Sequence, residues 1–525
     1  MMSAMHSPVF AAITLFGSLT VLGHPQPEPL GVPEPVPVVD DVRSEVSTVA
    51  AIPLHTRALA HPSLWAMAAD TSVVGADPGI APPLASKESK ESKESKESKV
   101  STESTESKES KESKPAPTIP TGLGFSGIPA INYSSDDGLG LGIIAAAYLN
   151  DGVTLPYRTS ITLQIFATTK LVQDHNVVID TLNVFDLPLR LTARVGFVSS
   201  LTQNYCGLGG VLPCDTVKAE AAADDLNLVD DQDDDNDARD QFVGHYFKRR
   251  FMNPYGLVNL RYALVGKTDH NPKVEFTGGY RGFYFIPGNL FADDDKDGKP
   301  DLFPYPGSLY AQDHLDGEPG FDSVLNFGLM TDSRDNEPAP TEGWWLEGSV
   351  RAAAPLWGST WTWAGFNVTL RGYQYLPLFP TLQRRLVLAN RLTVDGVVGD
   401  IPTQELARLG GSQDTYAFGG GDMGRGIRVQ RYLGKMKIMD QVELRYQFYE
   451  FDFLQQNFAL TLAGFIDGAI IGDELVNPKN LGTALGAGGA FRIAWNKNFM
   501  IRFDIATSAL ENYGTQIYLT INQPF

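Results

Sequence analysis

Strict two-residue alternation, sustained over whole strand lengths, constrains this chain more than any other feature of its sequence. From Thr515 to Phe525 (TQIYLTINQPF), Ile517, Leu519, Ile521 and Phe525 fall on one face of an extended strand, and Gln516, Tyr518, Thr520 and Asn522 fall on the other. Phe499, Ile501, Phe503 and Ile505 alternate with Met500, Arg502, Asp504 and Ala506 in the same way. So do Val442, Leu444, Tyr446 and Phe448 with Glu443, Arg445, Gln447 and Tyr449, and Val258, Leu260, Tyr262 and Leu264 with Leu257, Asn259, Arg261 and Ala263. Charge sits on one face only. Strands of soluble sandwiches average about five or six residues, whereas these approach the roughly 9–11 that a tilted membrane-crossing strand needs. Strands that cross a bilayer must close into a barrel, because lipid offers no partner for an open edge.

The rest of the chain is compatible with export. Outside the N-terminus no run of about 18 apolar residues exists, which excludes transmembrane helices. Val9 to Leu22 reads as the apolar core of a secretory signal over residues 1–23, although no Lys or Arg precedes it. Residues 24–85 are rich in Pro and Ala, and residues 86–114 form a Ser-Lys-Glu tract with eight Lys and eight Glu. Neither can build a core, so residues 24–121 are expected to be disordered, a solvated spacer in the periplasm. The tract is locally neutral in a chain of net charge -20, and without an excess of base a nucleic-acid partner is not expected.

Turn signals divide residues 122–525 into sixteen strands, near 125–134, 137–149, 156–170, 173–184, 187–199, 254–267, 271–285, 322–332, 344–355, 361–374, 381–394, 438–451, 456–471, 481–495, 498–510 and 514–525. The expected fold is therefore all-β, a transmembrane antiparallel barrel of about 16 strands with an even count, as closure of a bacterial single-chain barrel requires. With the first strand entering from the periplasm, the long connections 200–253, 286–321 and 395–437 all fall on the outer side. Short inner turns and long outer loops are the asymmetry of such barrels.

The C-terminal strand ending on an aromatic resembles the terminal signature of bacterial outer-membrane barrels. More specifically, FGGGDMGRGIRVQRYLG at 418–434, then DQVELRYQF, FIDGAI and GAGGAFRIAWNKNFMIRFDIA, followed by the terminal strand, resembles the barrel of the bacterial surface-antigen superfamily that includes BamA and TamA. YCGLGG at 205–210 is similar to a stretch of its shorter members. The resemblance implies that the loop around Gly424-Arg425-Gly426-Ile427 folds into the lumen and that Arg425 meets Asp467 of Phe465-Ile466-Asp467-Gly468. Gly424 stands where the family has an apolar residue, Ile427 where it has an aromatic, and Gly468 comes one position early. The residues alone also allow Arg425 to be an exposed loop residue and Asp467 a wetted lumen residue. An arginine and a carboxylate can form a bidentate contact that fixes a loop tip, with Gly426 letting the backbone approach the wall.

Three further features lie in the outer loops. Asp293, Asp295, Asp297 and Asp301 occupy positions 1, 3, 5 and 9 of a calcium-type loop with Gly298 at the bend, while Pro304 takes the place of the terminal acid. Calcium, if bound, is then weakly held, and a solvated acidic loop is the alternative. Residues 224–240 hold nine acids against one Arg and read as a solvated acidic segment. Cys206 and Cys214 are the only cysteines, and an even count in an exported chain points to a disulfide.

No nucleophile elbow, phosphate loop or zinc spacing is present, so enzymatic activity and a required cofactor are not expected. Two functions from different classes remain. One is a protein-insertion or translocation machine at the outer membrane of a Gram-negative bacterium, with client proteins or a periplasmic partner, since residues 24–121 show no POTRA pattern. The other is a passive pore, adhesin or surface scaffold contacting lipid and lipopolysaccharide. If the 286–321 loop holds calcium, isothermal titration of the purified barrel will show uptake that disappears when Asp293, Asp295, Asp297 and Asp301 become Asn; unchanged uptake would leave this loop a solvated surface.

Overall fold

The computed structural model describes residues 121–525, apart from 136, 155–156, 210–213, 215, 229–237, 269–270, 291–298, 314–318, 338, 379–384, 413–414, 417, 454–455, 496–498, 512–513 and 522–523. The signal peptide and linker expected over residues 1–120 lie outside the described residues. Sixteen antiparallel strands close into one barrel. They are β1 (Thr121–Ser134), β2 (Gly138–Asp151), β3 (Thr159–Thr168), β4 (Gln173–Thr181), β5 (Leu189–Asn204), β6 (Lys248–Val265), β7 (Lys273–Phe285), β8 (Gly320–Asp332), β9 (Gly343–Ala353), β10 (Trp363–Leu376) and β11 (Arg385–Gly399), then β14 (Met436–Phe453), β15 (Gln456–Gly472), β16 (Leu481–Trp495), β17 (Phe499–Thr507) and β18 (Gln516–Ile521). The remaining pair, β12 (Arg408–Leu409) and β13 (Thr415–Tyr416), forms a small ribbon in the connection between β11 and β14.

The alternation becomes a wall with its polarity reversed relative to a soluble protein. Outward positions such as Val258, Leu260, Tyr262, Ile466, Ile501 and Phe503 are exposed and apolar, while Glu443, Asp467, Arg492, Arg502 and Asp504 are buried within. Among the described residues no helix is long and apolar enough to cross a membrane. Near the end where β14 meets β15, outward aromatics stack in a row, Tyr449 on Phe451 (5.5 Å), Phe451 on Phe458 (5.4 Å) and Phe458 on Trp495 (6.0 Å). That is the girdle expected where a barrel meets the interface.

The structure corrects several details. A bulge between Gln447 and Tyr449 takes Phe448 out of the alternation, so that Tyr449, expected on the inner face, turns outward and is 56% exposed. β18 ends at Ile521 instead of running to Phe525, and Phe525 is buried. β5 and β6 are longer than expected, and the connection between them carries helices at Thr216–Asp225 and Ala238–His245. Short polar helices of this kind have no sustained apolar stripe for a sequence reading to find.

Sixteen strands enclose more space than wall side chains can fill, and here the long connections fill it. Tyr205, Phe247 and Tyr310 of the outer loops pack with Ile401, Leu406 and Leu433 of the β11–β14 connection, over Trp363 and Val397 of the wall. Ile466 stands outward midway along β15 with 54% of its surface exposed. Ile466→Arg is expected to cost about 2–4 kcal/mol in a bilayer, measured by denaturant unfolding of the reconstituted chain; a cost within about 0.5 kcal/mol, as at an ordinary wet surface, would contradict a lipid-facing wall.

Candidate functional site

The β11–β14 connection turns into the lumen, and its two halves are held by two ion clusters. Its first half contains the short helix Thr403–Leu406 and the ribbon of β12 and β13. Asp395 of β11 accepts from both Arg351 terminal nitrogens (2.9 and 3.0 Å), from Lys437 Nζ (3.2 Å) and from the Gly410 amide (2.9 Å). Lys437 also donates to the Arg408 carbonyl (2.8 Å), and Glu405 pairs with Arg281. Wall charges are thereby spent on loop backbone, which removes the unpaired polar groups a buried loop would otherwise leave.

The second half is anchored by Arg425, which is fully buried. Its Nε and Nη2 donate to the two oxygens of Asp467 on β15, both at 2.8 Å, and its amide donates to Asp467 Oδ2 at 2.9 Å. Its Nη1 donates to Glu443 on β14 and lies 3.9 Å from Asp504 on β17. The Arg425 Cζ lies 3.5 Å from the centre of the Phe465 ring. An arginine fork suits this place because its donors are rigid and meet a carboxylate in pairs.

Two glycines make the approach possible. A Cβ on Gly486 of β16 would come within 1.9 Å of the Arg425 carbonyl oxygen, and Gly426 takes a φ of +89° against the Thr507 backbone. Only glycine meets both demands cheaply. The Gly426 amide donates to the Tyr518 hydroxyl of β18 at 3.2 Å. Gly424 lies against the Phe418 ring, where a Cβ would come within 2.7 Å. Ile427, in the aromatic position, is buried with Phe418, Met423, Tyr432 and Ile471.

Sequence reasoning named Arg425, Gly426 and Asp467, and the structure brings these three together. It did not name the rest of the network. Glu443 also accepts from Arg492 and Arg445, each at 2.7 Å, and Arg502 pairs with Asp504 (2.9 Å) and donates to the Gly421 carbonyl (2.7 Å). Arg502 also pairs with Asp422. The signal was present as charges on the inner face of strands, but alternation gives a residue's face and says nothing of its partner across the lumen.

The other predicted residues lie apart from this site. Cys206 and Cys214 form a disulfide with Cα atoms 5.6 Å apart. Beside it, the Tyr205 hydroxyl donates to Asp313 at 2.6 Å, and burial raises its pKa, so the phenol stays protonated as a donor. Asp293, Asp295 and Asp297 lie outside the described residues. The Asp301 carboxylate accepts from Arg250 Nη1 at 3.3 Å. Among the described residues no group of three His, Cys, Asp or Glu side chains is placed to hold a metal.

Residues 291–525, which include the loop with Arg425 and its partners Glu443, Asp467 and Asp504, match the Omp85 superfamily domain. Among solved structures the chain is similar to BamA from Haemophilus ducreyi lacking POTRA domains 1-3 (13% identity, 77% of this chain and 70% of that one, TM-score 0.45). It is similar also to CdiB from Escherichia coli (11% identity, 78% and 64%, TM-score 0.47) and CdiB from Acinetobacter baumannii (11%, 77% and 65%, TM-score 0.41). The chain thus spans just under two thirds of either CdiB. No curated protein matches it.

Removing one partner from a buried pair leaves the other charge uncompensated, at about 3–5 kcal/mol. Arg425→Ala and Asp467→Ala should each destabilise the reconstituted barrel by about that amount, and the double variant by clearly less than their sum, in denaturant unfolding; additivity within about 0.5 kcal/mol would show that the two are not coupled.

Proposed function

We infer that this chain, a barrel of the Omp85 superfamily, serves in the outer membrane in the insertion or translocation of other proteins, through the seam between its first and last strands. The observation that carries this reading is the weakness of that seam. Among the described residues β1 and β18 share two residue pairs, Tyr133 with Leu519 and Ser134 with Tyr518, and the Ser135 amide adds a bond to the Ile517 carbonyl at 3.0 Å. Every other neighbouring pair in the wall shares between six and seventeen. Among the described residues, β1 along Thr121–Asn132 is hydrogen-bonded to β2 alone. An edge of unpaired N–H and C=O groups is a template for an incoming strand.

The filled lumen supports the same reading against a permanently open pore, because loop and wall leave the centre occupied by paired charges. This reading needs no bond-making chemistry, and calcium at the 286–321 loop, if bound, would be only an accessory to it. The competing reading, a passive surface scaffold, draws on the outer loops that cap the barrel and needs no seam opening.

One experiment separates them. Tyr133→Cys with Leu519→Cys places two thiols on directly paired residues, close enough for a cross-link. With the doubly substituted chain in liposomes, oxidation should reduce folding of an added outer-membrane barrel client several-fold, and reduction should restore it. The parent chain treated alike should not respond. Client folding that is unchanged by the cross-link would favour the scaffold.

A further inference from the structure

Past β18, Phe525 does not lie in the wall. In β18 the odd-numbered Ile517 and Leu519 face outward, while Gln516, Tyr518 and Thr520 are buried on the lumen side. Continued extension would bring Phe525 to the outer face with Ile517 and Leu519. Instead Phe525 is 5% exposed and packs with Tyr373 of β10 and Ala389 of β11. Those strands stand six and five places from β18 around the barrel, so Phe525 lies inside the lumen, away from the line of its own strand.

Two arginines receive it. The guanidinium carbons of Arg391 and Arg445 each lie 5.0 Å from the centre of the Phe525 ring. Arg391 Nη1 donates to the Pro524 carbonyl at 2.9 Å, and Arg445 Nη2 donates to the Phe525 carbonyl oxygen at 3.0 Å. Ring and backbone are therefore read together, by cation–π contact and by charge-assisted hydrogen bonds. Arg391 depends on this arrangement more than its neighbours do. Its hydrogen bonds go to the Gln441 side chain and to the carbonyls of Asp422 and Pro524, with no carboxylate among them. The Arg445 Nη1 and the Tyr373 hydroxyl, both buried beside the ring, have no hydrogen-bond partner among the described residues, so the site has polar capacity beyond what the tail uses.

We propose that Tyr373, Ala389, Arg391 and Arg445 form a lumenal binding site for the aromatic residue of an extended peptide, filled in cis by Phe525. The inference is independent of the insertion reading above. It has a consequence for the wall. The β1–β18 register, continued from Tyr133 with Leu519, would pair Ile131 with Ile521 and bring Gly127 opposite Phe525. Phe525 held against β10 and β11 cannot occupy the position opposite Gly127. Filling the site and lengthening the seam are thus alternatives, and a peptide that displaced Phe525 would release the tail toward β1.

Two measurements on the full chain in detergent test this. In the first, the probe is a fluorescein-labelled peptide of the sequence TQIYLTINQPF. Phe525→Ala should bind it about tenfold more tightly than the parent, whose site is filled, and the gain should vanish when alanine replaces the phenylalanine of the peptide. Equal binding by parent and variant, or equal binding of the alanine peptide, would overturn the proposal, the latter by assigning the peptide to the β1 edge. In the second, which leaves Arg391 and Arg445 untouched, p-benzoylphenylalanine replaces Phe525 and is photoactivated. Cross-links to the 373–391 segment are expected; cross-links confined to β1 or to detergent would overturn it.

Discussion

The second half of the lumenal loop depends on one buried guanidinium. Burying a charge is costly unless every donor is met, and Arg425 meets that condition only because three strands converge on it with Asp467, Glu443 and Asp504. Around it Arg445, Arg492 and Arg502, with Asp422, bring the cluster to four arginines and four acids. The group is neutral as a whole, and its members sit on β14, β15, β16 and β17 and on the loop. Tying those elements to one another is what lets a long connection rest in a lumen that wall side chains cannot fill. Replacing the cluster by apolar residues of equal volume could be as stable, so its worth lies in specifying where the loop goes.

The same network explains why the two ends of the wall differ in strength. β14 through β17 are joined to one another by long registers, and β14, β15 and β17 are joined to the loop by ion pairs. Among the described residues β18 meets the loop through the Tyr518 hydroxyl, and meets β1 through two residue pairs and the bonds between Ser135 and Ile517. Strand separation costs least where the fewest hydrogen bonds and side-chain contacts must be lost. In this structure that place is the seam.

Most of the architecture is legible in the sequence because a barrel wall imposes a period of two on every strand. All sixteen strands fall near where alternation and turn signals place them, and Arg425 and Asp467 stand in recognisable motifs. Alternation fails where the backbone departs from extension. The bulge at Phe448 shifts Tyr449 outward, and the end of β18 at Ile521 frees Phe525 to turn inward, although both residues carry the wrong parity for where they lie. The partners of Arg425 beyond Asp467 were visible only as charges on the correct face. Which of them meet depends on the closed geometry of four strands and a loop, which no local pattern encodes. The helices of the β5–β6 connection have too little apolar periodicity to announce themselves.

The central claim is that the 418–434 segment is a fixed part of the barrel interior. Hydrogen–deuterium exchange of the reconstituted chain tests it directly. The account predicts that amides of this segment, including Arg425 and Gly426, are protected on the timescale of the β14–β16 strands. Exchange within seconds, as for an exposed loop, would contradict it.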